Sequence, residues 1–128
     1  MFENVRNTVG QGAVGFSAAI FYYQKNGYNC CIPLVDNQNY DLVIEKNGEL
    51  LTVQVKSTRQ IVAGNYVAEL KSVRPNKNTN NVKSLQPCDL LFVLCENGDC
   101  YSVPFENLTS KNQFRVSKYQ KYKESLCQ

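Results

Sequence analysis

The pair Asn47-Gly48 sits between two runs of alternating apolar residues, Tyr40-Asp41-Leu42-Val43-Ile44-Glu45 and Leu50-Leu51-Thr52-Val53-Gln54-Val55-Lys56. Asn-Gly is the favoured pair for a two-residue type I′ turn, because both central residues must take positive φ and these types do so at least cost. Such a loop fixes register as well as topology. Lys46 faces Glu49, Glu45 faces Leu50, and Asp41 comes to lie opposite Gln54. Directly opposed residues have Cβ atoms about 4.5–5.5 Å apart. Alternation then places Asp41, Val43, Gln54 and Lys56 on one face, and Leu42, Ile44, Val53 and Val55 on the other. One face is core. The other gathers a carboxylate, an amide oxygen and an ammonium.

That combination suits a hard divalent cation. Mg²⁺, with Mn²⁺ as a substitute, prefers oxygen ligands, keeps several waters and often takes only one or two protein carboxylates. Asp41 and the Gln54 side-chain carbonyl supply two ligands, and the Val55 backbone carbonyl can give a third. Lys56 would orient or deprotonate an attacking water, or offset charge in a phosphorane-like transition state. The bland alternative is an amphipathic hairpin whose polar face meets solvent, with Asp41 and Lys56 as a weak surface pair. The hairpin alone leaves both open.

Around it the chain reads as a single α/β domain spanning residues 1–128, a usual domain length. Residues 11–26 form the first expected helix, stopping at Gly27, with Ala18, Ile20, Phe21 and Tyr22 on one broad face. Small residues at Gly12, Ala13, Gly15 and Ala19 would let it lie close to a sheet. Tyr28 to Leu34 and Tyr66 to Val73 read as strands, and residues 74–81 as an irregular loop. Leu90 to Cys95 and Cys100 to Pro104 form a second hairpin, and residues 115–126 a basic closing helix. Helix, strands, then helix gives a mixed central sheet flanked by helices.

Several chemistries are excluded. With no histidine and no C-x-x-C pair among six cysteines (30, 31, 88, 95, 100 and 127), common zinc templates and histidine catalysis fall away. Cys95 and Cys100 are expected opposite each other across the second hairpin, as a thiol pair rather than a disulfide or metal site. No apolar run approaches the roughly 18 residues of a membrane span, and the first residues lack a signal-peptide layout. A cytoplasmic protein without a membrane partner is expected. Net charge is +3, unevenly placed. Residues 1–50 carry three Lys/Arg against five Asp/Glu, and residues 51–128 eleven against six. A basic second half suits a polyanionic partner.

The order Pro33-Leu34, Tyr40-Asp41-Leu42-Val43 and Val53-Gln54-Val55-Lys56-Ser57-Thr58, behind a helix and Gly27-Tyr28, resembles the PD-(D/E)xK nuclease superfamily. It is most similar to the branch that writes the second motif Q-x-K, which includes intron-encoded homing endonucleases of bacteria. The resemblance covers about residues 11 to 107. It implies a restriction-endonuclease-like fold and a Mg²⁺-dependent endodeoxyribonuclease, with Asp41 and Gln54 as metal ligands and Lys56 as the catalytic lysine. Members often carry a glutamate on the first helix after a glycine. Here Gly15 is followed by Phe16 and Ser17, so that carboxylate is absent. A catalytically impaired DNA-binding subunit and a Holliday-junction resolvase-like nuclease are the alternatives, although resolvases usually carry Glu in the second motif.

Under that resemblance the partner is double-stranded or branched DNA. Cutting two strands implies a homodimer or higher homo-oligomer. Arg74, Lys77 and Lys83, in or beside the Asn-rich loop, are the first candidates for phosphate contact. Lys118 and Lys121, interleaved with Tyr119 and Tyr122, are the second set, with a solvated helix face as the alternative.

Overall fold

The structure, a computed structural model, describes residues 1–35, 38–75, 80–83 and 85–126; for residues 72–75 and 80–83 it describes the backbone. One helix and eleven strands are present among the described residues. Helix α1 spans Thr8–Lys25 and begins three residues earlier than expected, because the Asn7 side chain caps it by accepting the Gly10 N–H at 2.7 Å. Its buried face is Gly15, Ala18, Ala19 and Tyr23. Phe21, expected to share the core face, is 57% exposed.

The strands are β1 (Asn29–Cys31), β2 (Leu42–Lys46), β3 (Glu49–Thr58), β4 (Ile61–Val62), β5 (Asn65–Glu69) and β6 (Ser72–Pro75). They continue as β7 (Asn80–Lys83), β8 (Leu90–Cys95), β9 (Asp99–Pro104), β10 (Gln113–Arg115) and β11 (Lys123–Ser125). A six-stranded sheet runs β1-β2-β3-β8-β9-β11, in which β3 and β8 are parallel and the other neighbours antiparallel. The expected mixed sheet is therefore observed.

Its two faces are covered differently. Helix α1 packs on one, where Tyr23, Leu42, Ile44, Val53, Phe92 and Leu94 are buried. A small sheet of order β10-β5-β4 covers the other, over Leu91, Val93, Cys95, Tyr101 and Val103. A strand covered on both faces needs apolar residues throughout. Leu90 to Cys95 supplies them, and Leu91 to Leu94 are fully buried.

The first hairpin is as the turn residues dictate. Asn47 and Gly48 take φ of 54° and 84°, and Leu42 pairs with Val53 and Lys46 with Glu49. The second hairpin differs from expectation. Its loop has three residues, with Gly98 at φ 93° donating its N–H to Cys95 C=O. Cys100 consequently pairs with Leu94. A one-residue change of register flips a side chain to the other face, so Cys95 is buried in one core and Cys100 in the other. They do not form a cross-strand pair; both are free thiols.

Three further expectations are corrected. The strand over 66–73 is interrupted between β5 and β6, where the buried Leu70 donates its N–H to Asn112 C=O. Part of the supposed loop after it is the hairpin of β6 and β7, in which Arg74 pairs with Asn81. The closing helix is replaced by two 3₁₀ turns, Val116–Lys118 and Gln120–Tyr122, followed by β11 on the edge of β9. Tyr119 drives this: its ring stacks on Phe114 at 4.2 Å and its hydroxyl accepts the Thr109 N–H at 2.9 Å.

Candidate active site

Strand β3 outruns β2 on one side and begins before β8 on the other, leaving backbone groups to be satisfied at both margins. An aspartate meets each. On the β8 side, Asp89 Oδ2 accepts the Thr52 N–H at 2.8 Å and the Thr52 hydroxyl at 3.1 Å. On the β2 side, Asp41 donates its N–H to Val53 C=O at 2.8 Å, and its Oδ2 accepts the Val55 N–H at 2.8 Å. Leu42 is already the ladder partner of Val53. Asp41 thus doubles up against Val53 in the manner of a bulge, which turns its carboxylate into the plane of the sheet.

This changes the expected face assignment. Asp41 does not stay on the face away from Val55. Together with Val55 it lines a cleft of about 370 Å³, whose other walls include Gly12 and Phe16 of α1, Pro33 and Tyr40. Gln54 and Lys56 remain on the opposite face, in register with Leu91 and Val93. The three residues expected on one face are thus divided: Asp41 lies at the sheet edge beside the helix-side cleft, and Gln54 and Lys56 project from the other face of β3. All three, and Val55, are half-buried.

The helix holds this margin in place. Gln11 Nε2 donates to Ser57 Oγ at 3.2 Å, and Ser57 Oγ donates to Gln11 C=O at 3.3 Å. A Cβ added at Gly15 would stand 3.1 Å from Ser57 Cβ, so only glycine allows this approach without a shift. Phe16, next along the helix, then faces the cleft.

One neighbour escaped the sequence reading. Cys88 lies against the Gln54 backbone and within electrostatic range of Asp41, and its Sγ donates to Leu90 C=O at 3.2 Å. Burial pushes its thiol upward, so it stays protonated at neutral pH. No local motif marks it, since it reaches Gln54 only through the pairing of β3 with β8.

The oxygens at this margin are the Asp41 carboxylate and the Val55 backbone carbonyl, directed like its N–H toward the β2 side. They match a hard cation such as Mg²⁺ and not a soft one. No cluster of three or more Cys, Asp or Glu placed to hold a metal exists among the described residues.

The basic candidates are dispersed. Lys118 and Lys121 are exposed on the 3₁₀ turns. The β11 edge next to them is three strands from β3, about 14 Å at usual strand spacing. Arg74 and Lys83 lie on β6 and β7, of which the backbone is described, and Lys77 lies outside the described residues.

A mixed sheet with a helix on one face and polar residues at the margin of its central hairpin defines a restriction-endonuclease-like α/β fold. The sequence profile of the PD-(D/E)XK endonucleases matches residues 6–126, and the chain belongs to that family. Among solved structures it is similar to that of a bacterial homing endonuclease, I-Ssp6803I. The identity is 28% and the TM-score 0.77, over 86% of this chain and 78% of the other. No curated protein matches it.

Proposed function

We propose that this chain is a divalent-cation-dependent endodeoxyribonuclease of the homing type, acting as a single domain. The observation that carries this reading is the capture of the Asp41 carboxylate by the Val55 N–H at the margin of β3, beside the cleft that both residues line, in a member of an endonuclease family. The similarity to a bacterial homing endonuclease supports the finer assignment. The basic residues of the second half, Arg74, Lys77, Lys83, Lys118 and Lys121, would supply phosphate contacts. Two such chains would sever both strands of a duplex. No helix among the described residues is long and apolar enough to cross a membrane, which fits action on cytoplasmic DNA.

In this reading the Asp41 carboxylate, the Gln54 amide oxygen and the Val55 carbonyl would hold Mg²⁺ or Mn²⁺. A cation held there would supply Lewis acidity toward a phosphoryl oxygen and toward water. The Val55 N–H fixes the Asp41 carboxylate through Oδ2. Lys56 directs the attacking water in line with the scissile bond and offsets charge gathering on the phosphorus oxygens. The departing 3′ or 5′ oxygen takes a proton from solvent.

Nicking of supercoiled plasmid with Mg²⁺ or Mn²⁺ tests this. Cleavage by the native chain, abolished in Asp41→Ala and Lys56→Ala, is the expected result. DNA binding without cleavage, unchanged by either substitution, would establish instead the second reading, an impaired DNA-binding subunit, which Phe16 in the cleft favours. Matched linear and four-way-junction substrates separate homing-type from resolvase-type activity.

A further inference from the structure

Between Glu69 and Asp89 the chain carries Lys71, Arg74, Lys77 and Lys83 and no acidic residue. Strands β6 and β7 lie within this stretch and form a two-stranded sheet of their own. A two-stranded ribbon is marginal by itself, and this one is held at its feet. Leu70 and Leu85, both buried, donate their N–H groups to the Asn112 and Lys111 carbonyls. Both leucines join the core over Leu91 and Val93, on the face of β3 from which Gln54 and Lys56 project. Three residues after Leu85 comes Cys88, at the Gln54 backbone. That link spans at most about 11 Å, roughly three base-pair steps of duplex DNA. The ribbon is thus rooted beside the Gln54 face of β3.

Its register sorts the residues by face. Arg74 pairs with Asn81 and Ser72 with Lys83, while Val73 pairs with Val82. Opposed residues share a face and successive ones alternate. Ser72, Arg74, Asn81 and Lys83 therefore occupy one face, and the valine pair the other. Two strands about 4.8 Å apart fit a major groove about 12 Å wide, and not a minor groove of about 6 Å. In the major groove arginine suits O6 and N7 of guanine, and asparagine N6 and N7 of adenine. A neutral asparagine gains less from a phosphate than a cation does, so its place opposite Arg74 argues for base edges there. Lys83 lies two pairs nearer the foot, toward the body of the protein.

We infer that β6 and β7 form a sequence-reading ribbon. It enters the DNA major groove with Arg74 on a guanine and Asn81 on an adenine of the adjacent base pair, while Lys71 and Lys83 hold flanking phosphates. The inference rests on reading the chain as a protein that acts on DNA, and extends that reading from cutting to choosing the site.

The test is selection of duplexes with a randomised centre by the whole native chain in EDTA, where binding is scored without cleavage. The native chain should enrich a sequence with adjacent guanine and adenine positions. Arg74→Ala should relax discrimination at the guanine by about 5- to 150-fold, the range of one bidentate contact. Arg74→Gln should move the preference there toward adenine, and it carries the test alone if Arg74→Ala fails to fold. Asn81→Ala should relax the adenine position only. N7 of the guanine should resist methylation by dimethyl sulfate under the native chain and lose that protection under Arg74→Ala. Lys83→Ala should weaken all sequences alike and lower the salt slope by about one.

A loss of affinity in Arg74→Ala and Asn81→Ala that is equal for every sequence would reduce the ribbon to a phosphate contact and overturn the inference. So would a native chain that enriches no sequence. Selective binding without nicking in Mg²⁺ would overturn the nuclease reading and leave this one standing.

Discussion

Asp41 has two roles that substitution can separate. Its Oδ2 satisfies the Val55 N–H where β2 ends, and its charge is what the proposed chemistry needs. Asp41→Asn keeps an oxygen acceptor and loses the charge, whereas Asp41→Ala leaves a half-buried N–H without its partner, at about 1–2 kcal/mol. Both variants should lose cleavage to background, and only Asp41→Ala should lower the urea midpoint appreciably. Retained nicking in Asp41→Asn would sink the catalytic assignment. Among the described residues Lys56 forms no ion pair; only Lys123–Asp99 and the amino terminus–Glu3 are close enough. Lys56→Ala should therefore shift stability by no more than about 0.5 kcal/mol while abolishing cleavage, a split that paired melting and nicking measurements read directly. The pairing from Leu42 opposite Val53 to Lys46 opposite Glu49 was legible because Asn47-Gly48 fixes register locally, whereas Asp41, expected opposite Gln54, bonds to Val53 instead. The turning of its carboxylate toward Val55 was not legible. That depends on how β2 starts against a longer neighbour, which alternation cannot express.

At the scale of elements, glycines on one helix give opposite expectations. Gly12 has open space around an added Cβ, so Gly12→Ala should raise stability by about 0.5–1 kcal/mol through helix propensity alone. Gly15 lies against Ser57, and Gly15→Val should cost about 1–3 kcal/mol by forcing α1 off β3. Thermal melts of the two variants check the pair; equal shifts would show that the close approach of α1 to β3 is not what holds this margin. Elements closed by local turns were read correctly in kind, as with α1 and both hairpins. The second hairpin was misread by one residue, because Gly98 closes a three-residue loop and so separates Cys95 from Cys100. The segment 115–126 failed differently. Its Lys and Tyr spacing suits a helix, but stacking of Tyr119 on Phe114 and pairing of β11 with β9 are long-range contacts that outweigh propensity.

Across the whole molecule, the two cores bury acids that must stay protonated. Burial pushes the Cys95 and Cys100 thiols up to about 12 from 9.0, and the Tyr101 hydroxyl up to about 12 from 10.0. A folded pKa raised above the unfolded value favours the neutral form in the native state. The stability this gives is complete below the unfolded value and is lost as pH rises toward the folded one. The urea midpoint should hold steady between about pH 7 and 8.5, then fall from about pH 9 toward 11. A flat midpoint through pH 11 would contradict the burial of these groups. At pH 8 the exposed Cys31 should react with iodoacetamide in the native protein, while Cys95 and Cys100 react only in urea, as mass spectrometry would show.

By itself the sequence determined the first hairpin, its register from Leu42 to Lys46 and the helix stop at Asn26-Gly27, along with the order of residues that marks an endonuclease family. These rest on interactions within a few positions of one another: positive φ at Asn47 and Gly48, alternation along β2 and β3, and glycine after the helix. The tertiary structure alone decided which wall Asp41 faces, that Phe16 stands across from it, and that Cys88 lies at Gln54. Each of those depends on segments distant in sequence packing on β3, and no local pattern carries the position of a neighbour that arrives from elsewhere in the chain.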